Sequence, residues 1–213
     1  AKKLIRIGLP SGFQYFIEIA AFTFSAVMIG WFGSRSLAAH QIAINLASLT
    51  YMMILGISSA GTIRVGYYYG AKDRKNLRIA GFSVIGFAGS IMLLSAIILI
   101  IANKSLPLVY ISDPEVISIA SKLLIIAAIF QLADGLQATS VGVLRGLTDV
   151  RIPLIITFSS YWIVAVPLGY YLGIELNMGA VGIWTGLCIG LFLVAISCVV
   201  RFNIKSKEEL HKI

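Results

Sequence analysis

The sequence predicts an all-α membrane protein, a bundle of six transmembrane helices, and three observations carry that prediction. The residues Ala, Val, Ile, Leu, Met, Phe, Trp, Tyr and Cys make up 59 % of the 213 positions, and Asp, Glu, Lys and Arg only 12 %. Ordinary soluble chains are about 45–50 % apolar with glycine counted, and about 25 % charged. With 20 glycines added, this chain cannot cover its own surface with polar groups. That composition excludes a soluble globular domain and a disordered chain alike. Second, the apolar residues fall into six runs, each long enough to cross a hydrocarbon core of about 30 Å at 1.5 Å per helical residue. Third, none of the runs alternates in hydropathy with the period of two that a membrane barrel strand requires.

The six runs span residues 8–31, 37–63, 79–102, 116–144, 153–172 and 180–200. Four contain no Asp, Glu, Lys or Arg; the other two carry Glu18 and Asp134 in their interiors, with Lys122 near one end of the fourth. Between the runs the punctuation suits helices. Gly33-Ser34 closes a tight turn, residues 73–78 form a charged loop, and residues 103–115 hold Pro107, Asp113 and Pro114. Pro153 fits the first turn of the fifth helix, and Pro167 lies inside it and is expected to kink it. Short connections predict antiparallel neighbours. Gly182, Gly186 and Gly190 repeat a G-x-x-x-G spacing that lets another helix approach closely. Most tyrosines and tryptophans, Tyr51 and Trp184 among them, read as interface belt or core.

The formal net charge of +8 would point to nucleic acid in a soluble protein. Here it follows membrane orientation instead. With the amino terminus inside, the inner segments hold Lys2, Lys3, Arg6, Arg64, Lys72, Arg74, Lys75, Arg78, Arg145, Arg151, Arg201, Lys205, Lys207 and Lys212, which is 14 of the 17 basic residues. Arg35, Lys104 and Lys122 lie outside. Such a bias places both termini on the cytoplasmic side of a multi-pass protein of the cell membrane. The expected contacts of these charges are anionic inner-leaflet lipids, and no nucleic-acid partner is expected.

A carboxylate at the centre of a spanning helix costs about 2.5–3.5 kcal/mol on insertion scales, so intramembrane Asp and Glu mark functional sites by default. Glu18 has Ser11, Gln14, Tyr15 and Ser25 on its helical face; Asp134 has Gln131 and Gln137. Each stripe is polar on an otherwise apolar helix, so both are expected to face a shared interior. Two carboxylates there suit Na⁺, with oxygen help from amides and hydroxyls, or protons. Asn45 and Ser48 on the second helix and Tyr161 on the fifth are further candidates to line that space. Enzyme chemistry finds little support. The two histidines, His40 and His211, form no pair at metal-ligand spacing, and Gly56-Ile57-Ser58-Ser59-Ala60-Gly61 lacks the second glycine of a serine-nucleophile turn.

Several short stretches together resemble the multidrug and toxic compound extrusion (MATE) family, in its carboxy-terminal six-helix lobe. They are Gly8-Leu9-Pro10-Ser11-Gly12, Glu18 after Tyr15-Phe16-Ile17, and Leu37-Ala38-Ala39-His40-Gln41-Ile42-Ala43 with Asn45. Arg64-Val65-Gly66 with Gly70-Ala71, Gly142-Val143-Leu144-Arg145-Gly146 with Asp149, and Pro153 with Tyr161-Trp162 and Pro167 complete the series. The resemblance implies twelve spanning helices in two lobes, of which this chain supplies the second six, the amino-terminal lobe being its missing partner. It implies export of cationic or amphiphilic organic compounds, drugs or metabolites, in exchange for Na⁺ or H⁺, with no cofactor besides the coupling ion. In the NorM branch of the family an acidic residue on each of two helices forms the cation site, and those positions match Glu18 and Asp134. Other readings of the sequence are a lipid-linked sugar flippase of the same superfamily, weakened by the lack of mid-span basic residues, and a non-transporting membrane fragment.

Overall fold

The structure, a computed structural model, describes the backbone of residues 2–210 and the side chains of residues 5–208. His211 and Lys212 lie outside the described residues, as do the side chains of Lys2 and Lys3. The helices are α1 (Lys2–Gly30), α2 (Ser34–Gly70), α3 (Arg74–Ile101), α4 (Pro114–Gly146), α5 (Arg151–Glu175) and α6 (Ala180–Leu210). All six are long and apolar enough to cross a membrane. A short 3-10 turn, Leu106–Val109, interrupts the polar connection before α4. The helices run past the ends of the apolar runs because backbone hydrogen bonding does not stop at the hydrocarbon boundary. α2 continues to Gly70, where Arg64 stacks on Tyr68; Arg74, at the start of α3, stacks on Tyr69.

Sequence sets each boundary. Gly33, at φ +98°, occupies a left-handed conformation that glycine adopts without strain and caps α2. Asp73 caps α3 by accepting from the Asn76 backbone N–H at 3.1 Å. Asp113 caps α4 by accepting from the Glu115 N–H at 2.9 Å, with Pro114 in the first turn. Around Pro167 the helix departs from α geometry. The helix widens into a π turn over Ser159–Ala165 just before it, then into a second over Tyr171–Glu175. Pro167 lacks an N–H, and its ring would collide with the carbonyl four residues back; the wider turn makes room for it.

α4 and α6 form the centre. About half of the apolar stretch of each is buried (50 % and 56 %), against 28 % for α1 and for α2. α4 packs on α2, α3 and α6, and α5 lies between α6 and α1. The G-x-x-x-G stripe of α6 meets α5 backbone to backbone. A Cβ on Gly182 would lie 2.5 Å from the Gly173 nitrogen, and one on Gly186 would collide with the Gly169 backbone. A second close seam joins the ends of α2 and α4 nearest Arg145. There Ser58 Oγ donates to the Ala138 carbonyl at 2.6 Å, Thr62 Oγ1 donates to the Gly142 carbonyl at 2.8 Å, and a Cβ on Gly146 would lie 2.7 Å from the Thr62 carbonyl. At the opposite end Arg35 bridges Asp113 (3.3 Å) and Glu115, tying the α1–α2 turn to the start of α4.

Candidate functional site

Where α2 and α4 separate above that seam, α1 closes a cavity of about 380 Å³ against them. α1 contributes Tyr15, Glu18, Ile19, Phe22 and Thr23; α2 contributes Ile44, Ala47, Ser48, Tyr51 and Leu55; α4 contributes Phe130 and Asp134. The spacing is that of single helical faces, since 15, 18, 19, 22 and 44, 47, 48, 51, 55 step by three and four. The structure therefore brings Glu18 and Asp134, 116 positions apart in sequence, into one cavity. Asp134 is buried; Glu18 is half-buried.

A chain of hydrogen bonds holds Glu18. Gln137 Nε2 donates to its Oε1 at 2.8 Å, and the Tyr161 hydroxyl donates to Gln137 Oε1 at 3.1 Å. Tyr161 is fully buried and sits on the π turn of α5. Two further bonds fasten α1 to α5: Gln14 Nε2 donates to Thr157 Oγ1 at 3.0 Å, and Trp162 Nε1 donates to the Ile17 carbonyl at 3.2 Å. Below Glu18 a narrow space of about 10 Å³, room for a single water, is lined by Gln14, Tyr15, Tyr51, Gln137, Val141 and Arg145, among others.

Of the sequence candidates, Glu18, Asp134 and Ser48 line the main cavity, Gln14 and Gln137 line the space beneath it, and Tyr161 stands behind Gln137. Two lie elsewhere. Asn45 is one residue, about 100°, off the Ile44–Ser48–Tyr51 face; it accepts a hydrogen bond from Tyr110 at 2.8 Å near the Arg35 end. Gln131 is fully buried within the bundle, and its Nε2 and Oε1 have no hydrogen-bond partner among the described residues. Tyr51, read from sequence as belt or core, is a cavity residue; its i+3 spacing from Ser48 was the available signal. Phe22, Thr23 and Phe130 were also missed, being unremarkable apolar or polar positions until the helices are packed. Arg145, read from sequence as an inner-end charge and as part of the Gly142–Gly146 family stretch, stacks on Tyr15 at 5.2 Å and reaches the space below Glu18.

The chemistry available is ion and small-molecule binding. Two carboxylates with the hydroxyls of Thr23, Ser48 and Tyr51 offer hard oxygen ligands to a cation. The rings of Phe22 and Phe130 offer apolar and cation–π contact to an organic one.

Fold and site together define a polytopic membrane protein of transporter type, built on a six-helix lobe. The MatE family matches residues 10–171, and the chain belongs to that family, whose members are transporters and not enzymes. It is 41 % identical over 216 residues to the probable multidrug resistance protein NorM of Pseudomonas syringae pv. tomato, covering 99 % of this chain and 47 % of that protein. It is likewise 41 % identical to the multidrug resistance protein NorM of Burkholderia vietnamiensis, over 97 % of this chain and 46 % of the relative. The chain thus spans about half the length of the curated relatives it matches. Its fold superposes on the eukaryotic MATE transporter AtDTX14 with a TM-score of 0.88 at 19 % identity, covering 98 % of this chain and 48 % of that one. An outward-facing multidrug resistance MATE transporter gives a TM-score of 0.87 at 20 % identity, over 97 % and 46 % of the two chains.

Proposed function

We propose that this chain is the carboxy-terminal lobe of a cation-coupled multidrug exporter of NorM type, and that Glu18 and Asp134 are its coupling-ion site. The single observation that carries the reading is their convergence on one cavity with aromatic walls. A carboxylate pair there is held by Na⁺ or by protons, and an amphiphilic organic cation competes for the same negative charge. Exchange of one for the other across the membrane is antiport. The facing wall of the cleft comes from an amino-terminal lobe. Half a cleft cannot alternate its access by rocking one lobe against the other, so transport belongs to the two-lobe protein. The basic ends of the helices support an orientation with both termini and the Lys72–Arg78 loop cytoplasmic.

Efflux of a fluorescent organic cation from vesicles holding the two-lobe transporter tests the function, with Na⁺ and H⁺ gradients imposed one at a time. Export driven by one gradient is the expected result; export indifferent to both contradicts coupling. Orientation is checked by a cysteine at position 75, which should resist an impermeant external thiol reagent. The background is low because Cys188 and Cys198 are both buried.

A further inference from the structure

Arg145 is the basic side chain, among the described residues, that lines a space shared with Glu18. It sits in the last turn of α4, two turns past Gln137 on the same helical face. Its guanidinium lies over the Tyr15 ring at 5.2 Å from the centroid, with Nη1 3.5 Å from the Tyr15 hydroxyl. No carboxylate lies within ion-pair distance of it among the described residues. The nearby Asp149 is taken by Arg201 at 2.8 Å. Tyr15 and Glu18 are three residues apart on α1, a rise of about 4.5 Å, which a rotation of the long arginine stem covers. Guanidinium is weakly hydrated, planar and suited to both partners, stacking on the ring or forking onto a carboxylate.

We propose that Arg145 is a tethered counter-cation that alternates between Tyr15 and Glu18. Parked on Tyr15, as seen, it leaves the Glu18 carboxylate to Gln137 and open to the cavity, the arrangement that receives an ion. Once the ion has left, the guanidinium moves up one turn and pairs with Glu18, so the carboxylate does not stay uncompensated in an apolar surrounding, which is the costly state for a buried charge. An entering ion displaces it back to Tyr15. Arg145 is thus a positioning residue that sets how readily the site loads and empties. The inference rests on the reading of Glu18 as part of the ion site.

The test is a double-mutant cycle on the thermal unfolding of the full chain in lipid nanodiscs. The variants are Arg145→Gln, Glu18→Gln and the pair, melted in choline chloride at pH 8, then with 200 mM NaCl, then at pH 5. In the choline buffer the two substitutions should be non-additive by about 2–4 °C. Whichever ion loads the site should erase that coupling. Arg145→Lys, which keeps the charge, should retain most of it. Tyr15→Leu, which removes the parking place, should raise the Na⁺ or proton concentration needed for half of the ion's stabilising effect by about threefold or more. Additive effects in every buffer, with an unchanged midpoint in Tyr15→Leu, overturn the role of Arg145. The reading of the site survives that outcome if Glu18→Gln still abolishes the ion response. A Glu18→Gln chain that responds to ions like the wild type overturns the site itself.

Discussion

The seam between α5 and α6 and the cavity between α1, α2 and α4 are both made from apolar spanning helices, yet they are held in different ways. At the seam Gly182, Gly186 and Gly190 bring α6 onto the backbone of α5 at Gly169 and Gly173, with no room for one added carbon at Gly182 or Gly186. Around the cavity, contact is made by side chains: Gln14 to Thr157, Trp162 to the Ile17 carbonyl, Gln137 to Glu18. Apolar solvent gives helices in a membrane little reason to associate, so close packing of small residues and a few polar bonds do that work. Close backbone packing joins α5 to α6, as it joins α2 to α4 at Gly142 and Gly146. α1, the helix bearing Glu18, is attached by side chains alone, through these bonds and the ring contacts of Phe22 with Phe130 and Tyr161. A wall that must bind and release is expected to come from the less stable part of a fold.

The comparison is broken most severely at the seam. Gly186→Leu must displace the Gly169 backbone or part the helices. Its cost should reach or exceed the upper part of the roughly 1–3 kcal/mol range of overpacking, lowering the melting temperature by about 6 °C or more. Gly12→Leu, whose added carbon meets nothing within 4 Å, should melt close to the wild type. Equal effects of the two in a nanodisc melting experiment would erase the distinction between seam and wall.

A smaller effect is expected at the bonds that hold the cavity. Tyr161→Phe keeps the buried ring and removes the donor to Gln137. Interhelical bonds of this kind average about 0.6 kcal/mol and reach about 1.7, a fall of about 1–5 °C. The same variant should also change the ion dependence of melting, because Gln137 loses its anchor while it holds Glu18. A seam substitution should lower stability without that change.

The smallest effect belongs to the surface clasp at the Arg35 end. The Glu115 backbone N–H, helped by Val116 and Arg35, holds the Asp113 carboxyl below its ordinary value of 3.8. A carboxylate with a depressed folded-state value adds stability above the ordinary value and loses it as pH falls through 3.8 and below. Asp113→Asn should therefore melt slightly lower than the wild type at pH 7, and the gap should close as the buffer is taken below pH 3.8. A gap that widens on acidification would show the sign to be wrong.

The six spans and their order were legible in hydropathy alone, since a helix in hydrocarbon must be apolar for about 20 residues. Their ends were less so. The second apolar run ends at Ile63 while its helix continues to Gly70, because Arg64 finds the Tyr68 ring beside it and no proline intervenes. The two carboxylates were legible because an acid inside a span is costly enough to need a reason. Tyr51 and Arg145 were not. A tyrosine costs little in several membrane settings, and an arginine near a helix end is ordinary until its side chain is seen to point back toward the bundle. The π turns of α5, which set the position of Tyr161, follow from the way Pro167 is relieved, and a proline in sequence predicts a disturbance without saying which.

The most direct test of the central claim, that Glu18 and Asp134 are one site, is the rate of ion-driven efflux in the two-lobe transporter carrying Glu18→Gln, Asp134→Asn and both. Each substitution keeps the shape of the side chain and removes one charge. The account predicts that either one alone lowers the coupled rate at least about tenfold and that the pair is little worse, since groups acting as a unit are non-additive. Glu115→Gln and Glu175→Gln, outside the cavity, should leave it near wild type. Near-normal coupled efflux by both single variants would contradict the account and make the two carboxyl groups struts between helices.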